Sequence, residues 1–429
     1  MNRFIYTVLL KTASPLIFKL LERKARRAGG QWDIRAPERF GQYASAVLSD
    51  DFQRPVWVHA VSLGETRAAQ PLIQALLDQN LPVLLTHMTA TGREAGASLF
   101  EPYIASGQLR QAWVPYDLPK AVQGFLNYWQ PRCGILIERE IWPNLLAAAK
   151  QQSIPMVVVS ARFSESALKQ ARWMGSAVKD AFSSLKLVLA QTPEDQERLE
   201  SYGLKQVKLV GNLKFEVAVA DDLVEKAQAL KEQLQRPIVV IASTRESEEL
   251  LFIETLSSRV SENAENHPLY ILVPRHPQRF EEVAKELDKS GLSYCRRSAQ
   301  PSIDELKQCQ LLLGDSLGEM FFYYGLADVA IIGGSFANFG GQNNIEASAV
   351  GVPVIVGPHT DNFKQAVEDS ILAGATMRCD DAPDAINTAE QLLHDKQQRE
   401  AMSQAAQQWL AQHRGATKRT MDYIEPFLQ

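Results

Sequence analysis

The sequence predicts an α/β protein made of two consecutive doubly wound domains, each a parallel sheet covered by helices on both faces. Three features predict it. At 429 residues the chain is too long for one hydrophobic core, because single cores stop growing near about 250 to 300 residues. Its apolar runs are short and continuous rather than alternating, which is the pattern of strands buried on both faces. Helical stretches separate the runs, as crossover connections between parallel strands require.

The first element is residues 1–43, which hold nine Lys or Arg, from Arg3 to Arg39, against Glu22, Asp33 and Glu38. The segment therefore carries +6, and since the whole chain carries −5 the remainder carries −11. Phe4 to Leu21 is apolar apart from Lys11, Ser14, Pro15 and Lys19, and Glu22-Arg23-Lys24-Ala25-Arg26-Arg27 follows it. An apolar stretch beside a basic run predicts a membrane-binding helix seated in the anionic cytoplasmic leaflet, where each surface cation contributes on the order of 1 kcal/mol. The charges follow the apolar stretch and no small-residue cleavage site is evident, so the segment is expected to persist in the mature protein. Two alternatives stay open. One is a spanning helix, strained by two lysines within the roughly 20 residues that a span needs; the other is an ordinary buried helix.

Residues 44–215 form the first Rossmann-like domain. Val56 to Val61, Val83 to Thr86, Gly134 to Ile137 and Met156 to Val159 read as its strands, with helices from Glu65 and from Gly92. Residues 216–236 are polar and helical and read as an interdomain linker. The second domain, 237–405, follows with strands at Ile238 to Ala242, Leu269 to Val273, Leu311 to Leu313, Val329 to Ile332 and Val352 to Val356. Residues 406–429 read as a C-terminal helix. In two such domains, ligand groups are expected at the carboxyl ends of the strands, facing a cleft between them. The four cysteines, Cys133, Cys295, Cys309 and Cys379, fit neither a disulfide framework nor a CxxC metal pair, and read as reduced cytosolic thiols.

Four constellations could carry chemistry. Ser62-Leu63-Gly64-Glu65 follows a strand and opens a helix; it matches the S-x-x-E capping box, but its glutamate also stands where a carboxylate could take a proton from a substrate hydroxyl. Glu138-Arg139-Glu140-Ile141-Trp142-Pro143-Asn144 ends another strand. Its two acids would point the same way on extended chain, or else offset the dipole of a helix begun by Pro143. Gly211-Asn212-Leu213-Lys214 places a lysine at the last strand end of the domain, to meet a developing negative charge or simply to sit in solvent.

The fourth constellation lies in the second half: Ser243-Thr244-Arg245-Glu246, Pro274-Arg275-His276, Gly314 to Glu319, Gly333-Gly334-Ser335, and Gly340 to Glu346 at a helix start. Any one glycine turn is explained by turn geometry alone. Successive polar loops after apolar strands predict a nucleotide site, in which small residues admit a phosphate and Arg275 can bind it bidentately. Glu346 could accept hydrogen bonds from ribose hydroxyls. No Walker-A GxxxxGK[ST], HExxH, GxSxG or Asp-x-Asp pattern occurs, so P-loop phosphoryl transfer, zinc proteolysis, a serine elbow and a metal-held sugar diphosphate lack support.

With those residues placed, the chain resembles the 3-deoxy-D-manno-octulosonic acid (Kdo) transferases of lipopolysaccharide core assembly. The likeness runs almost end to end through HAVSLGE, THMTATG, VPYDLP, ERE-IWPN, SARFSE, GNLKF, ASTRESEE, LVPRHPQRF, GDSLGEM, GGSF, GGQNNIEA and GPHTDNF, in the family's order. The resemblance implies a GT-B fold, CMP-Kdo as donor, a lipid A precursor (lipid IVA) as acceptor, inversion at the transferred carbon, and no metal or other cofactor. It places the enzyme at the cytoplasmic face of the inner membrane, with no nucleic-acid partner. On matching positions it implies Glu65 as proton acceptor, Glu138 and Lys214 as transition-state stabilisers, and Pro274, Arg275, Leu317, Gly318, Glu319, Asn343, Asn344, Ile345 and Glu346 as CMP-binding residues. The sequence departs from the family pattern at Arg139, where threonine is usual, at Arg245, where histidine is usual, and in GGQNNIE, where GGHNPLE is typical. Two rival readings remain: a GT-B transferase or epimerase using a UDP-sugar, and a noncatalytic nucleotide-sensing membrane protein.

Overall fold

Runs of β-branched and aliphatic residues with no polar alternation fold here into strands that lack an exposed face. The computed structural model describes residues 1–28, 32–44, 52, 54–259 and 267–429. Residues 29–31 and 45–50, within the segments 1–43 and 44–215 drawn from the sequence, lie outside it, as does the side chain of Arg27.

The first sheet contains β1 (Val56–His59), β2 (Val83–His87), β3 (Leu109–Trp113), β4 (Cys133–Ile137), β5 (Met156–Ala161), β6 (Leu187–Ala190) and β7 (Val207–Leu209), in the order β3-β2-β1-β4-β5-β6-β7. The second contains β8 (Ile238–Thr244), β9 (Leu269–Pro274), β10 (Tyr294–Arg296), β11 (Leu311–Leu313), β12 (Val329–Ile332), β13 (Val354–Val356) and β14 (Thr376–Arg378), in the order β10-β11-β9-β8-β12-β13-β14. Every pairing is parallel. Strand order reverses at β1/β4 and at β8/β12, the topological switch points where doubly wound sheets bind ligands. Five strands escape the sequence pattern. Four of these, β3, β7, β10 and β14, are sheet edges, where polar residues interrupt the apolar run.

The chain divides into two compact units, Met1–Glu216 with His413–Gln429, and Val217–Gln412. This corrects the sequence-drawn linker and tail. The helix Asp221–Leu234 inside the expected linker packs on the helix Met320–Leu326 of the second unit. A side chain on Gly325 would strike Ala227 and the Val224 backbone, so only glycine permits that approach. The tail is two helices rather than one. Lys396–His413 ends at the unit boundary, and Ala416–Ile424 returns to the first unit, where Ala416, Ile424 and Leu428 join its core. Arg419 donates to the Val210 carbonyl at 2.9 Å, fastening the return.

The first helix, α1 (Arg3–Ala28), is neither buried nor detached. Tyr6, Thr7, Leu10, Ala13, Ser14, Ile17, Phe18, Leu21 and Ala25 form its sheltered stripe at helical spacing, and only Phe18 is fully buried. The opposite face exposes Phe4, Ile5, Val8, Leu9, Leu16 and Leu20 among Lys11, Lys19, Arg23, Lys24 and Arg26. The ordinary buried helix is thereby excluded. Pro15 cannot donate to the Lys11 carbonyl, and the Ser14 hydroxyl does so instead, at 2.8 Å. The helix is fixed along its length: the Met1 carbonyl accepts from Ala177 N–H, Tyr6 and Thr7 bond Asp117 and Asn144, and Phe18 meets Phe40 and Tyr116 edge-on or tilted.

The segment after α1 is organised by one buried cation. Arg39 is fully buried, lies 4.2 Å over the Trp113 ring, and donates to the carbonyls of Trp32, Asp33 and Met88. Burial pulls its guanidinium below the usual arginine range. We expect Arg39→Leu to lower the unfolding free energy of the first unit by about 3 kcal/mol, since one buried and two half-buried carbonyls lose their donor. Urea unfolding followed by tryptophan fluorescence measures it, and a loss below about 1 kcal/mol would show the carbonyls to be otherwise satisfied.

Candidate functional site

In the first unit the sequence-predicted acids gather where β1 and β4 end. Helix α2 (Leu63–Asp78) starts directly after β1, which puts Glu65 in its first turn. The capping-box reading fails, because Ser62 makes no side-chain cap bond. The Glu65 carboxylate instead turns back beyond the helix and accepts from Val61 N–H at 2.5 Å. Burial, helped by the charges of Glu138 and Glu140, pushes Glu65 up to about 7, against the Val61 hydrogen bond and Lys214.

Glu138 and Glu140 do not share one environment on extended chain. Glu138 has φ +65°, a left-handed conformation that costs on the order of 1 kcal/mol and turns the chain sharply out of the sheet. Its carboxylate then meets the Lys214 ammonium at 2.6 Å, whereas Glu140 accepts from the Trp142 indole at 2.7 Å. Burial raises Glu140. The helix-start reading holds for Pro143, which begins the helix Pro143–Gln151, but the acid at that N-terminus is Asp117. It accepts from the amides of Asn144 and Leu145 at 3.1 and 2.7 Å and from the Tyr6 hydroxyl at 2.9 Å.

Lys214 owes its place to a polar lattice over β5, β6 and β7. Asn212 accepts from Lys214 N–H, Gln191 donates to the carbonyl of Ser160 at 2.8 Å, and the Ser160 hydroxyl accepts from Leu213 N–H. Ser160, at φ +55°, makes a bulge in the last residues of β5, where the pairing register shifts. Fully buried His59 directs Nδ1 at the carbonyl and hydroxyl of Thr86, and burial lowers its pKa to about 4, so it is neutral with Nε2 unprotonated. That nitrogen lies 4.0 Å from Glu140.

In the second unit the glycine-rich loops also gather at the carboxyl ends of the strands. Ser243 has φ +58° at a bulge in the last residues of β8, and a side chain on Gly333 would strike Thr244 and the Ser243 carbonyl, so the end of β8 and the loop after β12 touch through backbone. Gly341 and Gln342 N–H bond the carbonyls of Gly334 and Gly333. Arg275 follows Pro274 and donates through its N–H to Thr244, and it and Glu346 both act on the buried Tyr324 hydroxyl, with opposite signs. Asn343 bridges the start of its helix by accepting from Ile345 N–H and donating to Glu346. Asn344 and Ile345 are fully buried, Asn344 donating to Ser370, so neither presents a side chain to solvent. Leu317 is 72% exposed and Gly318 is left-handed at φ +79°, while the Glu319 carboxylate is held bidentately by Arg297. Where histidine is usual, Arg245 pairs with Glu246 and lies 4.5 Å over the Phe339 ring.

Sequence reasoning missed Glu248 as well as Asp117. One buried Glu248 carboxylate accepts from four amides, those of Arg245, Gly334, Phe336 and Ala337, at 2.5 to 3.1 Å. Nothing near it in sequence announces this, since three of the four donors lie 86 to 89 residues away. Asp117 stands inside VPYDLP and Glu248 inside ASTRESEE, and an acid beside a strand end was the available signal.

Residues 34–217 match the family described as 3-deoxy-D-manno-octulosonic-acid transferase (kdotransferase), and residues 303–409 match glycosyl transferases group 1. A 3-deoxy-D-manno-octulosonic acid transferase of Bordetella pertussis is 54% identical over 434 residues, covering 100% of each chain. One from Haemophilus influenzae is 33% identical, covering 100% of this chain and 99% of its own. A solved glycosyltransferase from Rickettsia africae superposes with a TM-score of 0.55 at 14% identity, over 87% of this chain and 99% of that one, a likeness of fold.

If Glu248 holds the glycine loop as this geometry requires, Glu248→Ala frees four amides at once. Amide hydrogen exchange at Gly334, Phe336 and Ala337 should then accelerate at least about tenfold, with exchange in β8 and β9 unchanged. Unchanged exchange in the loop would mean that the carboxylate does not hold it.

Proposed function

Because this chain belongs to the Kdo transferase family and is a glycosyltransferase of GT-B architecture, we propose that it moves Kdo from CMP-Kdo onto a lipid A precursor, lipid IVA, with inversion. The observation that carries the chemical part is Glu65, a half-buried carboxylate whose affinity for a proton is raised to about 7. A base tuned there is ionised enough to act near neutral pH and basic enough to take the proton of a sugar hydroxyl.

In this reading the acceptor hydroxyl oxygen bonds the anomeric carbon of Kdo while its proton passes to Glu65. The bond from that carbon to the phosphate oxygen breaks, and CMP leaves with the electron pair. The Lys214 ammonium, held 2.6 Å from Glu138, supplies positive charge near the reacting carbon. With its charge so compensated, Glu138 is a weak nucleophile, which favours direct displacement and hence inversion over a covalent intermediate. CMP is assigned to Pro274, Arg275, the backbone of Leu317 to Glu319, and Asn343 to Glu346. Arg275 meets the phosphate and Glu346 the ribose hydroxyls. A single phosphate leaves less charge to neutralise than a diphosphate, so the reaction is expected to run without a metal.

The membrane part rests on α1. It is attached to its domain from Met1 to Ala25 and keeps an apolar, cation-flanked face outward, as a helix lying in the interface does. A helix held along its whole length by a globular unit is badly placed to span a bilayer. The protein is therefore assigned to the cytoplasmic face of the inner membrane.

Three outcomes are expected. Glu65→Gln should reduce transfer at least about a hundredfold while CMP affinity, measured by calorimetry, stays within about twofold; unchanged transfer removes Glu65 from the mechanism. Since the ionised form is the active one, kcat/KM should climb as pH rises from 5.5 and level off above about 7. The triple variant Phe4→Glu, Leu9→Glu, Leu16→Glu should leave anionic vesicles in flotation assays yet keep its CMP affinity. Turnover with UDP-sugars and none with CMP-Kdo would overturn the whole reading.

A further inference from the structure

We propose that the space beneath α1 is the binding site for one acyl chain of the acceptor, and that α1 is therefore part of the acceptor site as well as a membrane contact. The inference rests on the lipid-acceptor reading above and narrows it. Between α1 and the strand-end loops of the first unit lies a cavity of about 190 Å³, lined chiefly by Leu10, Ile17, Phe18, Met88, Leu118 and Trp142. The polar groups that reach it are already occupied. The Tyr6 hydroxyl donates to Asp117, Asp117 also takes two helix amides, and the Ser14 hydroxyl serves the Lys11 carbonyl. A space whose polar atoms are satisfied from within offers nothing to a polar ligand and much to hydrocarbon.

Its two ends specify which hydrocarbon. The roof is α1, whose outer face exposes Phe4, Leu9, Leu16 and Leu20 and so adjoins an apolar medium. The Trp142 wall donates to Glu140, one of the carboxylates that raise Glu65, so the cavity starts beside the reacting groups. A chain entering here is tethered to a sugar that Glu65 can reach. Cations flank the same space, Arg3 acting on Asp117 and Arg139 on Glu140, in keeping with an anionic headgroup. An amphiphile with an anionic sugar head and a flexible acyl tail matches this order of groups.

The test uses the full-length enzyme, CMP-Kdo and two acceptors with the same phosphorylated sugar, one bearing long acyl chains and the other acetyl groups in their place. Leu10→Trp and Ile17→Trp, which fill the cavity, should raise KM for the long-chain acceptor about tenfold, the worth of roughly two methylenes denied burial. The acetylated acceptor's KM and the affinity for CMP should stay within about twofold. Leu10→Ala, which widens the space without adding bulk, should shift preference toward a branched chain. An unchanged long-chain KM in both tryptophan variants, with transfer to lipid intact, overturns the acyl site alone. Transfer to sugars irrespective of any acyl chain overturns the lipid-acceptor reading with it.

Discussion

A parallel sheet covered on both faces leaves no room for a charge along its interior strands, and that constraint arranges everything else in this protein. Desolvating an unpaired carboxylate inside such a sheet would cost several kcal/mol, so polar chemistry is confined to the ends where the chain leaves the sheet. Glu138 leaves it abruptly after β4, and Ser160 and Ser243 form bulges near the ends of β5 and β8, each in the left-handed region at φ +55° to +65°. The strain is local and is offset by neighbouring contacts: an ion pair at Glu138, a five-residue hydrogen-bonded lattice at Ser160, and the close backbone contact of Gly333 beside Ser243.

Three carboxylates near one lysine form an unequal set. Lys214 is closest to Glu138, and Glu140 is occupied by Trp142, so the unneutralised demand for a proton falls on Glu65. The same residue type thus takes different parts through its surroundings. The second unit solves a different problem with a carboxylate. Glu248 is saturated by amides and fixes a loop whose Gly333 and Gly334 have no side chains to hold it.

Asp117 links these arrangements to α1. By capping the helix that follows Trp142 and accepting from Tyr6, it makes the position of α1 depend on the same loop that carries Glu140. The register of α1 against Glu65 and Glu140 is thus set by a short chain of hydrogen bonds rather than by the helix's own packing, of which only Phe18 is complete.

The sequence by itself determined the two α/β domains, nine strands in place, the basic apolar N-terminus, and the loops from which Glu65, Glu138, Lys214 and Arg275 project. It could do so because period and composition are local: a doubly buried strand is continuously apolar wherever it occurs. Edge strands such as Tyr294–Arg296 escaped it because one exposed side blurs that signal. Tertiary structure alone decided that Glu65 accepts from Val61 instead of closing a capping box, that Glu138 pairs with Lys214 rather than with Glu140, and that Glu248 reaches Gly334. It also returned the chain's end to the first unit. Each of these depends on groups between four and about 200 residues apart, and electrostatics between side chains follows distance in space, which no local pattern encodes.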